Sequence, residues 1–236
     1  MQNSKTWGIV VLYATSMAWV ESAVVFYLRT MINRIEPYQA TPLPVAGGFG
    51  FAEMIRELAT MLMLLTVGFL AGRNWRSRIG YSAIAFGVWD ILYYVFLKVM
   101  CGWPHSLMDW DVLFLIPLPW WGPVLAPVMI ALLMVVWGTF ASQVEDVTLS
   151  AAPGWRAWLL NGIGILLALY VFMSDALRVS GRGVNALREL LPASFNWPLF
   201  LVAWLLMAAP VIVILREFRT RRILSVTSLT SRENAA

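Results

Sequence analysis

Six long apolar segments constrain this chain more than any other feature. A membrane-spanning helix needs about 20 mostly apolar residues to cross a hydrocarbon core about 30 Å thick. Backbone groups inside lipid must be paired within their own segment, which favours helices. The sequence therefore predicts an all-α, polytopic integral membrane protein, a six-transmembrane-helix bundle. The predicted spans cover residues 7–28, 51–71, 79–100, 124–141, 157–176 and 197–215.

The composition agrees with this class. Of the 236 residues, 60% are hydrophobic and only 13% are charged, about half of the ~25% charged residues typical of soluble domains. A soluble domain of this size cannot hide so much apolar surface from water, and disorder requires the opposite composition. No linker or repeat divides the chain. We therefore expect a single transmembrane domain, 1–236, that ends in a basic tail, 216–236.

The distribution of arginine predicts the orientation. Arg73, Arg76 and Arg78 lie in the loop after the second span, and with six spans this loop and the basic tail fall on the same side. The positive-inside rule makes that side cytoplasmic. We therefore expect both termini in the cytoplasm, and the bacterial inner (plasma) membrane as the location. Three arginines of the fifth loop give the opposite signal: Arg178, Arg182 and Arg188.

Three carboxylates from three different spans fall in the outer half of the membrane. With a rise of about 1.5 Å per residue, Glu21 and Glu57 lie about 9 Å below the outer surface and Asp90 lies close to the midplane. Each charge at the centre of a span costs at least about 2.5 kcal/mol on insertion scales. Such residues usually mark a site, and we expect these three to lie close together.

The second span carries the clearest polar face. Glu53, Glu57 and Thr60 are spaced i, i+4, i+7 and share one side of a helix. Arg56 follows Glu53 by three residues and can pair with it. Because this face would be very unfavourable in lipid, we expect it to point into the bundle, toward a partner chain or toward water.

The third span adds Asp90 and Tyr94 on one helical face, with Lys98 one turn further on. Lys98, like Arg29 at the end of the first span, can also reach the interface as an anchor. If only Arg56 joins the acidic residues, a proton or a cation must balance them; if all three basic residues join, the cluster can be purely structural. Both interpretations stay open. The candidate ion- or ligand-binding residues are Glu21, Glu53, Arg56, Glu57, Asp90 and Tyr94.

The outer loop between the third and fourth spans, 101–123, is rich in tryptophan and proline. Its apolar run, Val112–Ile116, is too short to cross a membrane. We expect this run to lie on the interface or to fold back over the helices as a lid. Asp109 can cap the turn that begins this run.

The same loop contains a weak metal-binding pattern. His105 is the only histidine of the chain, and Asp109 and Asp111 follow it closely. A histidine with carboxylates can bind a transition metal, whereas oxygen ligands alone suit Mg²⁺ or Ca²⁺. The candidate metal ligands are therefore His105, Asp109 and Asp111, with a divalent metal as the candidate cofactor.

Other cofactors and reactions have no support in the sequence. One histidine and one cysteine cannot supply a bis-histidine haem or a cysteine-ligated iron–sulfur cluster within this chain. No nucleotide-binding loop, nucleophile elbow or zinc-protease motif is present. No residue is identified as catalytic, and we expect no nucleic-acid partner.

Three functions are compatible with these features. The first is an outward-facing carboxylate/arginine site within the membrane that binds or translocates a proton or a small cation. The second is a membrane-embedded enzyme, metal-dependent or not, acting on a lipidic or isoprenoid substrate. The third is a non-catalytic subunit of a larger membrane complex. The expected partners are the lipid bilayer and either further copies of the chain or other membrane subunits.

Overall fold

The computed structural model describes residues 2–39, 49–143, 153–183, 186–187 and 190–216, and the predicted basic tail beyond Arg216 lies outside them. Five helices are long and apolar enough to cross a membrane, and the number is six if a bent pair of helices counts as one span. The prediction of a helical, polytopic membrane protein is confirmed. The first five helices are α1 (Gln2–Met31), α2 (Phe49–Ala71), α3 (Trp75–Cys101), α4 (Leu125–Gln143) and α5 (Trp155–Val179). A short 3₁₀ turn, Ser180–Arg182, follows α5.

The segment of the sixth predicted span is broken, which the apolar pattern did not predict. Helix α6 (Trp197–Met207) and helix α7 (Ala209–Arg216) meet at an angle of 44°. Pro210 explains the bend, because it cannot donate a backbone hydrogen bond and its ring clashes with the carbonyl group four residues earlier. Near the break, the Nδ2 atom of Asn161 on α5 donates to the carbonyl oxygen of Met207, 2.8 Å away.

Helix α3 lies at the centre of the first half of the bundle. It packs against α1, α2 and α4, whereas α5 packs mainly against α6. Small residues allow the closest approach. A Cβ atom added to Gly138 would lie 2.4 Å from the carbonyl oxygen of Gly80, so α3 and α4 are in backbone contact there.

Helix α3 is also well defined at both ends. At its start, the Asn74 side chain accepts from the backbone N–H of Ser77, and the Ser77 hydroxyl oxygen accepts in return from the Asn74 backbone N–H. This capping box satisfies N–H groups that the first helical turn leaves unpaired. At its end, Lys98 donates through Nζ to the carbonyl oxygen of Gly102, 2.9 Å away. Lys98 is therefore a helix-end anchor.

A short hairpin forms in the loop between α3 and α4, in addition to the predicted helices. Strands β1 (Trp110–Val112) and β2 (Trp121–Pro123) are antiparallel, with Asp111 opposite Gly122. The pairing continues beyond the strands, because Leu113 N–H donates to Trp120 O and Trp120 N–H donates to Phe114 O, both at 2.8 Å. We call this segment, 110–123, the loop hairpin, and the end of the bundle that carries it the hairpin end.

Candidate functional site

A cavity of about 650 Å³ lies inside the bundle. Helices α1, α2 and α3 and the loop hairpin contribute its polar wall, and α4 to α7 contribute a mostly apolar wall. Five acidic residues and three arginines line it: Glu21, Glu53, Glu57, Asp90, Asp111, Arg29, Arg34 and Arg56. We call the five acidic residues the cavity carboxylates. The three carboxylates that depth counting placed together, Glu21, Glu57 and Asp90, thus share one cavity.

Helix α2 turns its polar face inward. Glu57 is 9% exposed and Thr60 3%, whereas Phe51, on the opposite side of the helix, is 67% exposed. The apolar side of the helix faces outward with Met54, Ile55 and Leu58. The orientation expected from the i, i+4, i+7 spacing is therefore the one found.

Glu21 and Glu53 are held by Arg56. The guanidinium group of Arg56 donates to Oε2 of Glu53 at 2.7 and 3.0 Å and forms an ion pair with Glu21. Thr60 also donates its hydroxyl proton to Glu21, at 3.1 Å. One arginine therefore serves two carboxylates from two helices, α1 and α2.

Glu57 connects α2 to the loop hairpin. Its two carboxylate oxygens lie 2.9 and 3.2 Å from the backbone nitrogen of Leu115, which donates to them. Leu113, Phe114 and Leu115 line the cavity. The apolar run 112–116 therefore folds back over the helices, which is one of the two placements that its length predicted.

Arg29 and Asp111 form a second buried pair, 2.9 Å apart. The side chains are 11% and 1% exposed, and the Arg29 guanidinium also lies 4.3 Å from the ring centre of Trp103. Burial raises the pKa of the Asp111 carboxyl group, although Arg29, the Val112 N–H and the Tyr94 hydroxyl group favour its charged form. Arg29 therefore joins the site rather than serving only as an anchor.

Asp90 differs from the other cavity carboxylates. Its side chain is 7% exposed and lines the cavity. In the part of the chain that the structure describes, no hydrogen bond or ion pair reaches its carboxyl group. The indole Nε1 atoms of Trp89 and Trp120, which also line the cavity, are buried and likewise without a partner among the described residues. Buried polar groups are usually paired, so this part of the cavity has unused hydrogen-bonding capacity.

The three candidate metal ligands do not converge on one point. Asp111 lies in the cavity, whereas His105 lies at the surface with Nε2 3.1 Å from Oε1 of Glu36. Within the described ranges, no group of three or more histidine, cysteine, aspartate or glutamate side chains is placed to hold a metal ion. The structure therefore does not bring His105, Asp109 and Asp111 to one point, because Asp111 turns inward from β1 to reach Arg29.

Asp109 caps the turn that precedes it, not the run that follows. Its carboxylate accepts from the His105 backbone N–H at 2.6 Å and from the Ser106 hydroxyl group at 2.8 Å. Partial burial opposes ionisation, but these hydrogen bonds outweigh it and lower the pKa of Asp109. The residue stabilises the fold of the loop and lies outside the cavity.

Sequence reasoning missed two members of the site. Asp111 pairs with Arg29 rather than with the other candidate metal ligands, and Arg34, which is 4% exposed and donates to the carbonyl oxygen of Pro37 at 3.0 Å, is not among the predicted residues. The one usable signal was the short apolar run after Asp111, which indicated a loop that folds back. Tyr94, which was predicted, is 5% exposed, lines the cavity and hydrogen-bonds to Asp111.

The charges of the site do not balance. Five carboxyl groups and three guanidinium groups line the cavity, so the ionised site carries excess negative charge. A buried charge is unfavourable unless it is paired. The arrangement can therefore accept positive charge, either as protons on the carboxylates or as a bound cation.

Comparison with known proteins gives no match, either to a family model, to a curated protein or to a solved structure.

Proposed function

We propose that the protein binds a proton or a small cation at the cavity carboxylates. The observation that carries this proposal is the position of Asp90, a buried carboxyl group that lines the cavity and has no partner among the described residues. Glu21 and Glu53 are paired with Arg56, and Asp111 is paired with Arg29. Asp90 is therefore the carboxyl group best suited to receive a charge from outside the protein.

The charged surroundings of Asp90 come from several elements. The ionisable groups that share its cavity are Glu21 and Arg29 of α1, Arg34 after α1, Glu53, Arg56 and Glu57 of α2, Tyr93 and Tyr94 of α3, and Asp111 of β1. The part of the cavity wall formed by α4 to α7 contains only uncharged residues among those described. A cation at Asp90 is thus attracted by the acidic excess, and the guanidinium groups of Arg29 and Arg56 are engaged with other acids.

We further propose that the hairpin end faces outward and that the protein lies in a bacterial inner membrane. Arg73, Arg76 and Arg78 lie at the opposite end of the bundle, between α2 and α3, where the positive-inside rule places cytoplasmic charge. Ser106 is an exposed residue of the hairpin end. In a Cys101→Ala background, Ser106→Cys should react with a membrane-impermeant maleimide on intact cells. Reaction only after the membrane is broken would reverse the orientation.

The cation proposal is tested by thermal unfolding of the purified protein in detergent, followed by tryptophan fluorescence. Ammonium, Na⁺ and Ca²⁺ are titrated at constant ionic strength, and pH is varied separately. A ligand at 100 times its Kd stabilises the folded state by about 2.7 kcal/mol. We expect a saturable rise in Tm with one of these cations or on acidification, and loss of that rise in Asp90→Asn.

A matched control is Asp175→Asn. Asp175 is also buried, at 8% exposed, but it pairs with Arg178 on α5 and lies outside the cavity lining. This variant should keep the full response. An equal response in wild type and Asp90→Asn, or no response to any of the cations and to pH in wild type, would contradict the proposal.

A further inference from the structure

The cavity is much longer than a small ion. Its lining runs along α3 from Ile79 to Tyr94 and along α5 from Trp158 to Phe172. At about 1.5 Å per residue, each stretch is roughly 20 Å long, which exceeds the ~15 Å thickness of one leaflet of the hydrocarbon core. The volume of about 650 Å³ is within the ~300–1,000 Å³ range typical of sites for organic ligands.

The two ends of the cavity have opposite character. The cavity carboxylates and arginines lie toward the hairpin end, and the far end is lined by apolar and aromatic side chains such as Ile79, Trp137 and Trp158. Apolar cavities stay dry and bind apolar groups. A ligand that fits both ends therefore has a polar head and an apolar chain.

Helices α2 and α5 form separate parts of the cavity wall. Both line the cavity, yet α2 packs on α3 and α5 packs on α6, and the two make no extended contact with each other in the described residues. Their outward faces carry exposed apolar residues, for example Leu58 and Leu166, at 49% and 68%. The side of the bundle between α2 and α5 is therefore the entry route that we infer for a chain dissolved in the bilayer.

The polar end specifies the charge of the head. The excess of carboxyl over guanidinium groups favours a cation, and Asp90 offers an acceptor that is 7% exposed, lines the cavity and has no partner among the described residues. A primary ammonium group can donate to that carboxylate and to a neighbouring cavity carboxylate. An anionic head would instead add to the negative excess.

We propose that the cavity binds a single-chain amphiphile with a primary ammonium head, the head at Asp90 and the chain along the apolar wall toward Trp158. This inference rests on the proposed cation site and names the class of ligand that occupies it. A small aqueous cation and the amphiphile would both bind at the Asp90 carboxylate. Only the amphiphile would also fill the apolar end of the cavity.

The test uses n-butylamine, n-octylamine and n-dodecylamine as probes, with 1-dodecanol as the uncharged analogue. Binding to the purified protein is measured by tryptophan fluorescence in one fixed detergent, so that partition into micelles is the same for every variant. We expect n-dodecylamine to bind more tightly than n-butylamine, with each methylene group adding up to about fourfold where it leaves water. 1-Dodecanol should bind at least tenfold more weakly than n-dodecylamine.

Two variants of α5 test the binding of the ligand's apolar chain separately from the binding of its ammonium head. Leu169 on α5 lines the cavity, whereas Leu166 on the same helix is 68% exposed and lies outside the lining. Leu169→Trp should weaken n-dodecylamine binding at least tenfold and leave the response to ammonium unchanged. Leu166→Trp should change neither. Asp90→Asn should abolish both the amine binding and the ammonium response.

The outcomes distinguish failure of this inference from failure of the proposed function. Equal affinity for n-butylamine and n-dodecylamine, or an unchanged affinity in Leu169→Trp, overturns the amphiphile while the cation site stands. Equal binding of 1-dodecanol and n-dodecylamine overturns the ammonium head. No response of wild type to ammonium, Na⁺, Ca²⁺ or pH removes the cation site on which the inference depends.

Discussion

Asp90 on α3 and Asp175 on α5 are nearly equally buried, at 7% and 8% exposed, but their surroundings differ. Asp175 pairs with Arg178 on the same helix and lies outside the cavity lining. Asp90 faces a cavity with no partner for its carboxyl group among the described residues. Burial of a charge is therefore not what marks the candidate site. What distinguishes the candidate site is a buried carboxyl group that has no partner among the described residues and faces the cavity.

The ion pairs Arg29–Asp111 and Arg178–Asp175 also differ in how far they are shielded from water. In the Arg29–Asp111 pair the side chains are 11% and 1% exposed, whereas Arg178 in the other pair is 64% exposed. Water can stabilise Asp175 if Arg178 is lost, but it cannot reach Asp111 to the same degree. The pairs therefore differ in what each contributes to stability.

The largest expected effect comes from Arg29→Ala. Removal of one partner from a buried ion pair leaves an uncompensated charge and costs about 3–5 kcal/mol, and the variant also loses the contact with Trp103. Arg178→Ala should cost no more than about 1 kcal/mol, because Arg178 itself is largely exposed to solvent. Thermal unfolding in the same detergent measures both. Equal losses in the two variants would remove the distinction between the regions.

Much of this fold could be predicted because span length and apolar content are local properties of the sequence. The predicted spans 51–71 and 79–100, for example, lie within α2 and α3, Phe49–Ala71 and Trp75–Cys101. The break before Pro210 was missed, since an average over an apolar window does not register one proline. The loop hairpin was missed because its pairing joins residues on both sides of a proline-rich turn.

The site was predictable only in part, and for a related reason. Counting the rise per residue places Glu21, Glu57 and Asp90 at comparable depths because helices have a fixed pitch. No such rule applies to a loop, so the inward turn of Asp111 and its pairing with Arg29 could not be derived. Asp109 and Asp111 are close in sequence, yet one faces the surface turn and the other the cavity.

A second prediction concerns the packing of α5 against α6. A Cβ atom at Gly164 would lie 2.6 Å from the carbonyl oxygen of Ala203, whereas a Cβ at Gly162 meets no atom within 4 Å. Gly164→Leu should therefore lower the unfolding free energy by about 1–3 kcal/mol through overpacking. Gly162→Leu is the matched control and should not destabilise the protein. Comparable losses in both variants would mean that α5 and α6 are not closely packed.

The smallest effect is expected for Asp109→Ala. Asp109 lies outside both the cavity and the contact between α5 and α6. Its hydrogen bonds to His105 and Ser106 should be worth about 1 kcal/mol at pH 7. Because the pKa of Asp109 is lower in the folded protein than its usual value, this stabilisation is present above about pH 3.9 and is lost as the pH falls through the folded-state pKa. The difference in Tm from wild type should shrink accordingly at acidic pH, and a difference that grew on acidification would contradict this role.

The most direct measurement of the central claim is chemical modification of the two buried aspartates. Dicyclohexylcarbodiimide is an apolar reagent that converts a carboxyl group into a stable N-acylurea, and mass spectrometry of the peptides locates the adduct. If Asp90 is unpaired and open to the cavity, it should be modified faster than Asp175, and ammonium or n-dodecylamine should protect it. Modification of Asp175 at the same rate as Asp90, or modification of Asp90 that neither amine slows, would contradict the account.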